Sequence, residues 1–384
     1  MEMVQVRELV NLATQEVLGT DSILAEDLSN VVDIGNQIFD NNAFDNYVKS
    51  LINHIGRVIF VNRKYGGYAP SVLMDSWAYG SVLQKITAEM PEAVENESWE
   101  LTDNTSYDPN IFRKPKVSNK FFNKRVTFEI EASITELQVR ESFSSGEQLG
   151  AFVSMLFNEI DKSITVKTDA LVMRTINHFI AETLYEDFND GNYSANSTAR
   201  CVNLLKLYND SFDGDLTPEQ SMKNPEFIRF AAYTMSLYVD RLRVMSAQFN
   251  IGGKARFTPT DMLHFVMLSD FSKAAGVYLQ SDTFHDELVQ MPRHDTVPYW
   301  QGSGLEYSFG DITEINVKTA NDHDVHASGI LAVMFDRDAL GVTRFDRRVK
   351  THYNPKAEFT NYFYKQDAGY FNDFNENFVV FFVA

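Results

Sequence analysis

The sequence predicts an α+β fold organised around one long helix. Three observations carry that expectation. The first is helical periodicity from Ser144 to about Leu184. The second is a clean two-residue alternation over Arg125–Thr135, and the third is a set of short apolar runs in the last third of the chain. In the helical stretch, Ser144 and Glu147 have the S-x-x-E spacing of a capping box. Leu149, Phe152, Val153, Leu156, Ile160 and Ile164 then recur at helical steps, and the stripe runs on through Ala170, Leu171, Ile176, Phe179 and Ile180. An unbroken helix of this length reaches roughly 60 Å, far beyond the usual three turns. A pair of helices broken near Asp161–Lys162 is the competing reading. A coiled coil is disfavoured because strict heptads are absent.

The 384 residues suit one large or two medium domains. With 34 basic and 53 acidic side chains the net charge is −19, which opposes duplex binding without a local basic patch. The lone Cys201 excludes an internal disulfide and suits a reducing compartment. The start of the chain lacks the basic and apolar regions of a signal peptide. No run of apolar residues is long enough to span a membrane. The 30 Phe and 17 Tyr fit either extensive interfaces or a large β core.

Along the chain, residues 1–62 read as helical. Val6, Leu9, Val10, Ala13 and Val17 share a face, and Gly19 ends the run. A second segment holds Phe44, Tyr47, Val48, Leu51, Ile52 and Ile55, with Asp40 to Asn42 as caps. Gly66, Gly67 and Pro70 forbid regular helix in the next stretch, which is either an aromatic interface loop or, with Arg63 and Lys64, an anion-binding turn. No Walker or dinucleotide motif supports the anion reading. Ser81–Ile86 reads as a strand, and about forty polar residues separate it from the strand Arg125–Thr135. So long a connection marks a two-stranded excursion, and a lone hairpin is marginal in water, so it must lean on something else.

Residues 185–224 are polar and turn-rich and read as a solvated connection. Asp187–Asn192 and Asp213–Asp215 lack the register of a calcium loop. Asn224-Pro225 opens a helix carrying Phe227, Ile228, Ala231, Met235, Leu237 and Tyr238. Met262–Leu268 has the composition of a strand buried on both faces, with His264 as a core histidine. A helix over Asp270–Gln280 follows, then strands at Gly329–Phe335, Arg347–His352 and Phe378–Ala384.

Catalytic chemistry is hard to find. His323 and His326, flanked by Asp322 and Asp324, have a spacing that could hold a metal, but the segment has loop composition and no further ligand cluster. His285, Asp286 and Glu287 read as an exposed helical charge group. No nucleophile elbow is present, and Cys201 lacks a catalytic surround. No catalytic, cofactor-binding or metal residue is therefore assigned, and no cofactor is expected.

The order of parts is informative. Two blocks stand out: Tyr68-Ala69-Pro70 through Gly80-Ser81-Val82-Leu83-Gln84-Lys85-Ile86, and Tyr353–Phe363 with Asn372–Ala384. With the long helix between an excursion and a mixed α/β region, they resemble the major capsid proteins of tailed bacteriophages, the Hong Kong 97 fold. The resemblance implies an N-terminal helical arm (residues 1–62), an extended β loop with its flanking strands (63–140), and a peripheral domain with the spine helix (141–224). It further implies an axial domain (225–335) and a β return (336–384). It implies a shell subunit that forms hexamers and pentamers of an icosahedral head and encloses double-stranded DNA without sequence-specific binding. Its partners would be other copies of itself, a scaffold and a portal protein, with no membrane. Its place would be the virion, after assembly in the host cytoplasm. Phe44, Tyr47, Leu51, Phe121 and Phe122 are the expected interface residues. With about sixty residues ahead of the excursion, a cleaved N-terminal scaffolding segment is not expected, and no Lys–Asn cross-link is assigned. The alternatives are a compartment shell that holds cargo protein, and a cytoplasmic two-domain hydrolase using buried carboxylates.

Overall fold

The computed structural model describes residues 3–19, 30–40, 46–47, 50, 69–70, 72–74, 82–91, 93, 95–96, 100–112, 114–135, 137, 146–188, 196–280, 292–302 and 308–384. Among them the chain begins with α1 (Met3–Leu18) and α2 (Val31–Asp40). Val10 and Ala13 of α1 are fully buried, and Gly19 takes a left-handed φ of 100°. Its N–H closes on the Gln15 carbonyl at 3.1 Å, so glycine ends the helix as its position suggests. Of the expected cap residues Asp40–Asn42, Asp40 ends α2 instead, and Asn41, Asn42 and most of the segment after them lie outside the described residues.

Four strands follow: β1 (Leu73–Met74), β2 (Leu83–Ala88), β3 (Val117–Phe122) and β4 (Arg125–Thr135). The expected strand Ser81–Ile86 is thus shifted by two residues at each end. Its partner is also different from the one its neighbours suggested. β2 pairs with β3, whereas β4 leaves the excursion and pairs elsewhere. β3 was hidden because its outward positions carry Val117 and Phe121 while its inward ones carry Ser118 and Lys120. That is the reverse of the usual apolar-inside alternation.

The long helix is α3 (Gly146–Phe188), 43 continuous residues with no break at Asp161–Lys162. At 1.5 Å per residue it extends roughly 65 Å. Ser144 lies outside the described residues. From Ile160 onward the helix is buried on most of its circumference, although Ala170 of the expected stripe faces solvent. Its buried hydroxyls are satisfied locally: Thr168, Thr175 and Thr183 donate to the carbonyls of Ile164, Leu171 and Phe179 at 2.7–2.8 Å.

Residues 185–224 are not a solvated connection. They hold β5 (Cys201–Asn203), α4 (Leu204–Phe212) and α5 (Pro218–Ser221), and Cys201, Leu204, Leu205 and Tyr208 are buried. The polar residues there are caps rather than loop. Asn203 and Thr217 accept from the first turns of α4 and α5, and Asp213, at φ 49°, ends α4. α6 (Pro225–Leu242) starts where expected, with Asn224 Oδ1 accepting from the N–H groups of Glu226 and Phe227 at 2.9 and 3.1 Å.

The remaining elements are β6 (Leu263–Leu268), α7 (Ser269–Gln280), β7 (Asp295–Val297), α8 (Phe309–Thr313), β8 (Ile315–Lys318), β9 (Asp324–Ala327) and β10 (Ile330–Asp336). The chain closes with β11 (Leu340–Asn354), β12 (Phe359–Asn372) and β13 (Phe378–Phe382). β11 is longer than the expected Arg347–His352, and β12 is a strand beyond those expected.

Two sheets form the body. One has the order β5-β13-β10-β6-β7, with β10 and β13 buried along their whole length. Such strands read as continuous apolar runs because both faces are covered. The other has the order β1-β11-β12-β4. α3 packs against strands of both sheets and against the β8–β9 ribbon. Phe179, toward its C-terminal end, stacks on Phe378 at 4.0 Å and meets Phe374 edge-on at 4.8 Å. Asn177 donates to the Trp300 carbonyl at 2.6 Å, and Trp300 Nε1 donates to Ile330 at 2.8 Å.

Gly329 is required by its surroundings. Its φ is 80°, and a Cβ there would lie 1.9 Å from the Val383 carbonyl oxygen. Gly329→Ala is expected to lower stability by at least ~1 kcal/mol from the left-handed backbone alone, seen as a lower denaturant midpoint. Phe179→Ala is expected to cost about 3–5 kcal/mol, because it opens a cavity where helix and sheet meet. Chemical denaturation followed by tryptophan fluorescence checks both, and a change under 1 kcal/mol for Phe179→Ala would show that α3 is not held there.

Candidate assembly surface

Beyond its root, the described residues of the excursion are not covered by their own subunit. Its root is the β2–β3 ribbon, in which Leu83 pairs with Phe122, Lys85 with Lys120 and Thr87 with Ser118. These residues face inward. Thr87 and Ser118 share a hydrogen bond of 2.6 Å, and the Phe122 ring lies 5.1 Å from that of Phe371. Placing two lysines directly opposite each other is unfavourable unless an anion lies between them.

Asp373 supplies that anion from the turn after β12. Its carboxylate lies 2.9 Å from Lys85 Nζ and 2.8 Å from Lys120 Nζ, and its side chain is only 2% exposed. Glu376 adds a second contact to Lys85 at 2.8 Å and one to Arg256 Nε at 3.4 Å. Lys85 also donates to the Asp338 carbonyl at 3.2 Å. One further pair, Lys254 with Glu89 at 2.8 Å, ties the start of the excursion to the body at the surface.

The electrostatics agree with the geometry. For Asp373, burial acts to raise the carboxyl pKa, but the hydrogen bonds and charges of Lys120 and Lys85 outweigh it and the net shift is downward. Burial acts against the charged Lys85 in the same way, yet Glu376 and Asp373 carry its pKa upward. For Glu376 burial prevails and the pKa rises.

Beyond the ribbon, every described residue from Ala88 to Val117 is exposed. Met90, Leu101, Ile111 and Phe112 are among them, and Phe112 is 85% exposed. Exposed apolar side chains along one such segment suit a surface that a partner covers. Of the expected interface residues, Phe121 is exposed on the outer face of the ribbon, whereas Phe122 turns inward. Tyr47 is instead fully buried within the subunit, and Phe44 and Leu51 lie outside the described residues. Nothing local in the sequence joins Lys85 and Lys120 to Asp373 and Glu376, which lie far along the chain.

The alternative chemistries find other roles for their residues. His323 stacks on Tyr185 at 4.4 Å, while His326 Nε2 lies 2.6 Å from Glu314, so the two rings do not converge. Among the described residues no group of three or more His, Cys, Asp or Glu is placed to hold a metal. His264 is half-buried and stacked on Phe335 at 5.5 Å, and burial lowers its pKa. Asp187 pairs with Arg200 and accepts from Thr198, which gives the end of α3 an anchor rather than a calcium ligand. The buried carboxylate Asp336 accepts from Thr258 and from the Asp338 N–H at 2.8 and 2.9 Å, within a turn network completed by Asn377. Arg63–Gly67 and His285–Glu287 lie outside the described residues. No described helix is long and apolar enough to cross a membrane.

A spine helix between two sheets, with an outstretched ribbon pinned at its root, is the Hong Kong 97-like architecture of tailed-phage capsid proteins. The capsid of Staphylococcus phage Andhra has a similar fold, with a TM-score of 0.50 at 11% identity over 84% of this chain and 87% of that one. A capsid chain of cyanophage P-SCSP1u matches at TM-score 0.44 and 10% identity, covering 85% and 92% of the two chains. The curated proteins contain no match. Residues 10–382 match the Phi29-like phage major capsid protein family, and the chain belongs to it. It is therefore a structural protein of a phage head that self-associates in the virion capsid, and the hydrolase alternative is set aside.

Removing the shared anion should free the ribbon. Asp373→Asn leaves two opposed lysines and is expected to destabilise the subunit by about 3 kcal/mol, the low end for a buried pair because Lys120 is partly exposed. Lys120→Gln should cost less. The pH dependence has a definite sign. The folded Asp373 pKa lies below its ordinary 3.8, so its stabilisation is full above that value and is lost as pH falls through the folded pKa. Thermal melts of wild type and Asp373→Asn should differ at pH 7 and converge once the pH falls below the folded Asp373 pKa. A gap that persists in acid would rule out the ion pair as its source.

Proposed function

We propose that this chain is the tile of an icosahedral head, forming hexamers and pentamers around double-stranded DNA. The observation that carries this reading is the exposed, apolar-bearing excursion fixed at its root by Asp373. A rigid root aims the excursion, and an aimed excursion can bury area on a neighbour that one subunit cannot bury alone. Head-to-tail contacts of this kind close into rings, and rings tile a shell. In this reading residues 1–62 are an arm and 63–140 the extended loop. Residues 141–224 are a peripheral domain around the spine, 225–335 an axial domain, and 336–384 the return to both. The chain, at net charge −19, suits a wall that does not grip packaged DNA. Scaffold and portal proteins are the further partners, and assembly takes place in the host cytoplasm.

Expressing the chain alone and with its neighbouring gene products tests the proposal. Negative-stain microscopy and size-exclusion chromatography should reveal closed shells or capsomers. Deleting residues 89–116 should leave a soluble folded subunit that no longer assembles, because the β2–β3 root lies outside the deletion. A strict monomer under every condition would count against the shell, and normal shells from the deletion would count against the excursion.

A further inference from the structure

We propose that a pocket beside the root of the excursion binds a free nucleoside monophosphate, with its phosphate between Lys124 and Arg174 and its base against aromatic rings. This inference stands apart from the shell reading above. The pocket, about 340 Å³, lies between the β3–β4 turn, the stretch of α3 around Thr175 and the end of β12. That volume is at the small end of ligand sites, roughly 300–1,000 Å³. Its walls include the rings of Phe121, Tyr370 and Phe374 and the basic side chains of Lys124, Arg174 and His178.

The basic side chains are brought together around Tyr370. Lys124 stands in the β3–β4 turn, and its carbonyl accepts from the Tyr370 N–H at 3.3 Å. The Arg174 guanidinium lies over the Tyr370 ring at 5.1 Å. Arg174 and His178 are four residues apart on α3 and so share a face. Among the described residues no carboxylate pairs with Lys124 or Arg174. Glu182 faces His178 Nε2 at 3.7 Å, but the same carboxylate oxygen also accepts from the Ala320 N–H. Burial, together with the charges of Lys124 and Arg174, holds the His178 pKa below its ordinary value against the pull of Glu182. Three basic groups that oppose one another's charge stand out in a chain of net charge −19. An anion among them removes that repulsion.

The chemistry of the walls selects the ligand. A phosphomonoester carries about −1.5 to −2 charge at neutral pH and three acceptor oxygens. Lys124 meets it as a point charge and Arg174 as a planar fork of donors. His178 has its ring nitrogens turned to Asn372, at 3.4 Å, and to Glu182, so it feels the phosphate through its charge rather than by contact. Phosphate alone would leave the rings unused. A nucleobase stacks on aromatic side chains and on the Arg plane whatever its identity. Phe374 is braced for that role by its edge contact with Phe179. Duplex DNA is the poorer occupant, since its bases are stacked on one another and a concave pocket with two exposed cations is no phosphate-tracking stripe.

Adenosine monophosphate titrated into the full-length subunit, followed by isothermal calorimetry, tests this. Saturable binding is expected, at least about tenfold tighter than that of adenosine or inorganic phosphate and weakened by salt. Lys124→Ala with Arg174→Ala should weaken it at least about tenfold. Both side chains are at the surface, so the double variant should fold, which circular dichroism checks. Phe121→Ala, also at the surface, should weaken the nucleotide and leave inorganic phosphate unchanged. The His178 imidazole, followed by NMR and assigned with His178→Gln, should titrate at higher pH once the site is filled. Phosphate binding as tightly as the nucleotide, an unaffected double variant, or a His178 titration that ignores the ligand would each overturn the proposal. A single-stranded oligonucleotide that binds far more tightly than the mononucleotide would also overturn it, by assigning the pocket to nucleic acid.

Discussion

Asp373 lies between two lysines that the β2–β3 ribbon places directly opposite each other. Without it, the ribbon would bring like charges together at its most crowded point. With it, repulsion becomes attachment, and the ribbon can take only the orientation in which both ammonium groups reach one carboxylate. A short two-stranded ribbon has little stability of its own. Its direction is therefore borrowed from the turn between β12 and β13, which is held in turn by Asp373 N–H to the Ala339 carbonyl at 2.6 Å and by the Asp336 network. Everything the excursion does at a distance depends on this junction.

The junction is firm because α3 is firm. A 43-residue helix has no reason to stay straight in isolation, and most helical stability in proteins comes from packing. Here the packing is supplied by strands from distant parts of the chain, with Phe179 against Phe374, inside the turn that carries Asp373 and Glu376, and against Phe378, just after it. The spine and the root are therefore one mechanical unit. The buried threonines of α3 return their hydroxyls to the preceding turn, so the helix can be enclosed without leaving donors unmet.

Local patterns were readable and pairings were not. The helix of Pro225, the strand Leu263–Leu268 and the strand Arg125–Thr135 follow from a cap, a continuous apolar run and a clean alternation. The continuity of α3 follows from an apolar stripe with nothing to break it. What escaped was anything set by partners far away in sequence. β3 looked like loop because its inward face is Ser118 and Lys120, and those residues make sense only beside Thr87 and Asp373. β5 and α4 looked like loop because their caps are the same polar residues that make turns. Tyr47 looked like an interface residue because a thin apolar stripe does not say which surface it covers. Of the candidate assembly surface, the aromatic Phe121 and the length of the excursion are legible in the sequence, but the cluster at its root is not.

The five-stranded sheet joins β5, β13, β10, β6 and β7, strands drawn from residues 201 to 382. Sheets built from such distant pairings form slowly, because long loops must close before their contacts repay the entropy. The lysines of the ribbon are made early in synthesis and Asp373 late. While the ribosome is still at work, the apolar outer face of the excursion has no fixed direction. It gains one only after the central sheet has formed and the β12–β13 turn has set. On the proposed shell reading, the order of synthesis separates folding from association in time: a subunit can present its reach to a neighbour only once its own interior is complete.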